Sequence, residues 1–150
     1  MHETHKIKVR VNPGSYTPKR VSKGSAGYDL FTHVPIRLFP GERITVKLGI
    51  YFDIPEGLEG QIRPRSGLAA KSGITVLNSP GTIDSDYEGE IGVILLNTSE
   101  TLHEFDIGHR IAQIVFATVP NVTLIANELD ELDAESEWVR GTSGFGSSGA

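Results

Sequence analysis

Between Arg43 and Ile54 every second residue is apolar: Ile44, Val46, Leu48, Ile50, Phe52 and Ile54. Arg43, Thr45, Lys47 and Asp53 occupy the opposite positions. Side chains of an extended chain alternate between two faces, so this run predicts a strand with one buried face, bent where Gly49 interrupts it. Ile7, Val9 and Val11 alternate in the same way with Lys6, Lys8 and Arg10. Further strands are expected over Tyr28–Thr32, Pro35–Phe39, Leu58–Arg63, Ile74–Leu77, Ile91–Leu96, Leu102–Phe105 and Arg110–Val119, with Val122, Leu124 and Ala126 alternating in a last one. Turn residues separate them, at Pro40-Gly41, Pro55-Glu56-Gly57, Pro80-Gly81 and Asp106-Ile107-Gly108. Asn12–Gly27 reads as a loop. Only Ser66–Ser72 departs from the pattern: Leu68-Ala69-Ala70-Lys71 favours one or two helical turns, and Gly73 is a natural stop. Many short strands with one short helix predict an all-β sandwich or barrel.

At 150 residues the chain suggests one domain with a real core. It has no cysteine, which removes disulfides, thiolate metal sites and a cysteine nucleophile. Met1–Arg10 is charged and lacks the apolar segment of a signal peptide, and no apolar run approaches a membrane span, so the expectation is a soluble cytoplasmic protein. A net charge of −5 argues against a nucleic-acid polymer as partner but leaves room for a small anion held by local donors.

Five places carry candidate chemistry. Asn78–Glu90 reads as a tight polar hairpin holding Asp84 near Tyr87, and a carboxylate beside an aromatic face can activate water next to a flat, stacked ligand. Taken alone, Asp84, Asp86 and Glu88 read better as decoration of a solvated hairpin. Arg65-Ser66-Gly67 opens the short helix, where free N–H groups, a hydroxyl and a guanidinium suit an anion; Ser66 as a plain N-cap and Arg65 as a surface charge is the other reading. Gly141–Ala150 is a Gly/Ser tail around Phe145, preceded by Arg140; glycines let backbone N–H groups close around phosphate, and the alternative is a linker. Gln113 is polar within an apolar strand and needs a partner if buried, a ligand or the backbone. Asp29, one residue into a strand, reads as a structural cap or as a group that orients a neighbour. The five histidines show no metal-site spacing.

Five segments in order, Ala26-Gly27-Tyr28-Asp29-Leu30, Pro64-Arg65-Ser66-Gly67-Leu68-Ala69, Gly81–Glu90, Gly108-His109-Arg110-Ile111-Ala112-Gln113 and Arg140–Gly149, resemble the motifs of the trimeric dUTP pyrophosphatases (dUTPases). Any one is weak; five in order across residues 26–149 are specific. The resemblance implies a jelly-roll-like β-barrel over residues 1–139, assembled as a homotrimer with shared active sites, and a flexible C-terminal lid over 140–150. It implies hydrolysis of dUTP to dUMP and pyrophosphate with Mg2+, which lowers dUTP and supplies dUMP for thymidylate synthesis. By that analogy Asp84 activates the water that attacks the α-phosphorus. Tyr87 excludes a 2′-hydroxyl. The backbone from Asn78 through Gly81, Thr82 and Ile83 reads uracil, on which Phe145 stacks. Arg65, Ser66, Gly67, Gln113, Arg140, Ser147 and Ser148 hold phosphates, and Asp29 supports the site. Mg2+ is expected to arrive on the triphosphate with its waters, because the hairpin carboxylates are expected on one solvent-facing side rather than in a cage.

His109 stands where the family more often has an acidic residue, and Ser143 where it more often has glycine. A dCTP deaminase shares the fold, but the Asp84/Tyr87 hairpin and Phe145 lid argue against it. A nucleotide sensor without catalysis is the reading from another class, and the intact Asp84 argues against that.

Overall fold

The computed structural model describes residues 4–126. The long alternating run forms two strands, β4 (Arg43–Lys47) and β5 (Ile50–Asp53), in the numbering that also gives β1 (Lys8–Val11), β2 (Gly27–Phe31) and β3 (Ile36–Leu38). The break falls at Gly49, whose φ of 66° is left-handed and whose missing side chain leaves room for Ser15 Oγ. The bend transfers the chain between sheets: β4 pairs with β9 (Gly92–Asn97), whereas β5 pairs with β1. Leu48 and Ile50 stay buried on either side of the bend, so the apolar face is continuous although the ladder is not.

The remaining elements are β6 (Leu58–Arg63), α1 (Ser66–Ser72), β7 (Ile74–Val76), β8 (Gly81–Ile83), β10 (His103–Phe105) and β11 (Arg110–Thr118). All pairings are antiparallel, in four sheets: β2-β11-β6-β8, β4-β9-β7, β1-β5 and β3-β10. The expected mostly-β architecture with one short helix is present. Its strands are distributed over these sheets around one core, whose most enclosed side chains include Leu30, Leu38, Ile74, Ile91, Leu95 and Ile114. All but Ile91, which immediately precedes β9, come from inward positions of their strands, as the alternation requires. α1 buries no residue completely; Leu68 packs against the core, and Gly73, with φ 62°, ends the helix by donating its N–H to the last-turn carbonyls.

Two expectations are corrected. Asn78–Glu90 is not a hairpin: β8 pairs with β6, and β9 pairs with β4 and β7, so the two arms belong to different sheets. The reason is that alternation sets which face of a strand is buried but not which strand lies beside it. Val122, Leu124 and Ala126 form no strand; the segment runs exposed, with Leu124 91% and Ile125 80% accessible. Among the described residues nothing covers its apolar positions.

Candidate active site

The four-stranded sheet organises the candidate residues. In the register Gln113 of β11 lies opposite Asp29 of β2 on one side and Arg63 of β6 on the other. The chain leaves β6 through Pro64 and Arg65 and enters α1 directly. This end of the sheet therefore gathers Asp29, Gln113, Arg65 and the first turn of α1.

Asp29 is buried and bridges two guanidinium groups. Its Oδ1 accepts from Arg65 Nε at 3.1 Å, and its Oδ2 accepts from Arg110 Nη1 at 3.2 Å. Of the two readings of Asp29, the orienting one describes these contacts. Arg65 keeps only 24% of its side chain exposed and Arg110 47%, so one fork is held closely and the other stands more in solvent. A carboxylate between two guanidiniums leaves one net positive charge, with N–H donors to spare on both. Arg110 is the residue that reading the sequence missed. A cation at the start of a strand carries no local sign that a buried carboxylate will lie beside it.

Gln113 donates from Nε2 to Pro64 O at 3.0 Å, so the backbone is its partner. Its Oε1 occupies the space where a side chain on Gly27 would stand. The N-cap of α1 is Arg65, extended at φ −90° and ψ 128°, with no side-chain cap hydrogen bond. Ser66 is thus the first helical residue and not the cap. Ser66 and Gly67 are exposed, and their backbone N–H groups have no intrahelical acceptor.

Asp84 follows β8 immediately. Tyr87 N–H donates to Asp84 O at 3.2 Å, which closes a turn and fixes the two residues side by side. Asp84, Asp86 and Glu88 are all exposed on this turn, whereas a hairpin arm was expected to carry them. β8 is the outermost strand of its sheet, so one row of backbone groups over Gly81, Thr82 and Ile83 faces away from β6. Asn78 folds back on it, with Nδ2 against Gly81.

The two clusters lie at opposite ends of β6. Ile83 is opposite Gly60, and Asp84 lines a groove with Glu56, Gly57, Leu58 and Glu59, near the start of that strand. Arg65 lies beyond its other end. At the rise of an extended chain the separation is about 20 Å.

Among the described residues no group of three or more His, Asp or Glu side chains can hold a metal ion. The carboxylate of Asp29 is committed to its two arginines. His109 lies against the ring of Phe105, centroids 4.9 Å apart. Arg140, Ser143, Phe145, Ser147 and Ser148 lie outside the described residues. No helix of the described residues is long and apolar enough to cross a membrane.

The dUTPase family model matches residues 15–149. A Rhizobium etli protein named deoxyuridine 5'-triphosphate nucleotidohydrolase is 49% identical over 147 residues, which cover 95% of this chain and 91% of that one. The dUTPase of Staphylococcus bacteriophage 80alpha, solved with dUPNHPP, superposes with a TM-score of 0.86 at 28% identity, covering 98% of this chain and 100% of that one. A point mutant of the dUTPase from phage phi11 of S. aureus, described as coordinating a structural Mg(II) ion, superposes with a TM-score of 0.75 at 25% identity, covering 85% and 99%.

Proposed function

The chain belongs to the dUTPase family, and on that premise we propose that it hydrolyses dUTP to dUMP and pyrophosphate, with Asp84 as the base that activates the attacking water at the α-phosphorus. The observation that carries the reading is the turn that joins Asp84 to Tyr87 at the end of an outer strand. It sets an exposed carboxylate and an aromatic ring beside backbone groups able to read a base edge. The outward row of Gly81–Ile83, with Asn78, takes the uracil. Cytosine presents an amino donor at position 4 and an acceptor at N3, where uracil presents a carbonyl acceptor and an N–H donor, and would leave polar groups unpaired at both, which discriminates strongly. Tyr87 closes the space that a 2′-hydroxyl would need.

Cleavage of a phosphoanhydride depends on positioning and charge neutralisation more than on covalent help. Arg65, Ser66 and Gly67 supply donors to the phosphates, and Gln113 has a second amide hydrogen to give beyond its bond to Pro64. Asp29 holds Arg65 in place. Arg140, Ser147 and Ser148 would add donors from the tail, which closes as a lid with Phe145 on the uracil. The substrate is the Mg2+ complex of dUTP: the metal neutralises the triphosphate, and the described residues provide no protein cage for a resident ion.

Asp84 and Arg65 of one chain stand about 20 Å apart along β6 by the rise of an extended strand. A site that brings them close to one triphosphate is built more compactly from two chains, and in this reading another copy completes it, in a three-fold ring. The bare apolar positions Val122, Leu124 and Ile125 support such an assembly, since burying them against a neighbour is favourable.

The test is incubation with each deoxynucleoside triphosphate and Mg2+, with pyrophosphate measured, and with ammonia measured for dCTP. Pyrophosphate from dUTP alone is expected. Ammonia from dCTP would mark a deaminase, and no turnover would mark a binding protein.

A further inference from the structure

We infer that Gly89 and Glu90 are positioning residues for sugar selection, which set where the ring of Tyr87 stands. The inference rests on Tyr87 being the wall against a 2′-hydroxyl. Gly89 lies outside the left-handed region, so its φ does not call for glycine. Its requirement is spatial: a Cβ there would lie 2.5 Å from Tyr87 Oη, 2.6 Å from Cζ and 3.0 Å from Cε2. The phenol lies across the bare face of the glycine.

The ring is then pinned at both ends. Tyr87 Oη donates to Glu90 O at 3.0 Å, and Tyr87 N–H donates to Asp84 O at 3.2 Å. Tyr87 is 41% exposed, so core packing does not dictate its position. Glu90 is itself tied to the body of the fold. Its Oε1 accepts from Gly49 N–H at 2.8 Å, at the bend between β4 and β5. Through Glu90 the ring takes its position from the core sheets and not from the exposed turn alone.

A methyl group at position 89 must displace the ring. Displaced from Gly89, the ring no longer closes the space that a 2′-hydroxyl needs, so ribose is admitted and the preference for dUTP over UTP falls. Glu90→Ala frees the turn from Gly49, whereas Glu90→Gln keeps an acceptor for that N–H.

The experiment measures kcat and KM for dUTP and UTP in the wild type, Gly89→Ala, Tyr87→Ala, the double variant, Glu90→Ala and Glu90→Gln, with thermal melts alongside. Gly89→Ala is expected to lower the dUTP/UTP ratio of kcat/KM about tenfold. In the Tyr87→Ala background the same change is expected to do nothing, because no ring remains to be displaced. Glu90→Ala should lower the ratio, and Glu90→Gln should restore most of it. A wild-type ratio in Gly89→Ala, or an undiminished effect of that change without the Tyr87 ring, overturns the role of Gly89. Equal ratios in the two Glu90 variants overturn that of Glu90. If Tyr87→Ala leaves the ratio unchanged, the sugar wall itself is lost, and the inference with it.

Discussion

Oδ1 of Asp29 lies 3.1 Å from Nε of Arg65, a contact between strand β2 and the start of helix α1. Holding an arginine by Nε fixes the plane of the guanidinium while leaving the terminal nitrogens to point elsewhere. The second oxygen of Asp29 holds Arg110 differently, by one of its terminal nitrogens, Nη1.

Replacing Asp29 by Asn should therefore impair phosphate binding with no change to the reacting groups. The amide offers one acceptor and turns an N–H toward the other guanidinium. A hydrogen bond to a charged group contributes about 1.5–3 kcal/mol, so kcat/KM for dUTP should fall roughly 10–100-fold, chiefly through KM. Steady-state kinetics check this, and an unchanged KM would show that Arg65 needs no such support.

Asp84→Asn should keep the fold and dUTP binding while losing about 10²–10⁴ in kcat, the span of a general base. The side chain is exposed and makes no contact that the core depends on. Binding by calorimetry and turnover by pyrophosphate release separate the two effects; near-normal turnover removes Asp84 from the mechanism.

Deleting residues 141–150 should lower kcat strongly and leave the melting temperature nearly unchanged. A Gly/Ser sequence offers few apolar side chains to a core, and the role proposed for this segment is to close over the ligand. A large fall in melting temperature would assign the tail to the fold instead.

Two inactive proteins should restore activity when mixed. One carries Asp84→Asn with an intact tail, and the other has Asp84 but lacks residues 141–150. After unfolding, equal mixing and refolding, about three-quarters of trimers contain both, and each mixed ring has one junction of a good base with a good lid. Roughly a quarter of all sites should revive. Background activity after mixing is verified by mass would place base and lid on the same chain.

Much of the local structure was legible in the residues. The period of two from Ile44 to Ile54 gave β4 and β5 and even the bend at Gly49, because facing and left-handed turns are local properties. Leu68-Ala69-Ala70-Lys71 before Gly73 gave α1 and its end for the same reason. The candidate residues of the ordered motifs were legible as chemical types, and the pairing of Asp84 with Tyr87 was legible because a single turn brings them together.

Pairings between distant residues were not legible. Asp29 meets Arg65 across 36 positions and Arg110 across 81, and nothing near any of the three announces the others. Gly81–Ile83 lies beside β6 although β9 follows it much more closely in the chain. That choice of partner puts Asp84 at one end of β6 and Arg65 beyond the other. Residue pattern alone determined which side of each strand turns inward. Which strands became neighbours was decided only when many buried faces packed around one core, because burial rewards any close fit and the fit depends on the whole chain at once.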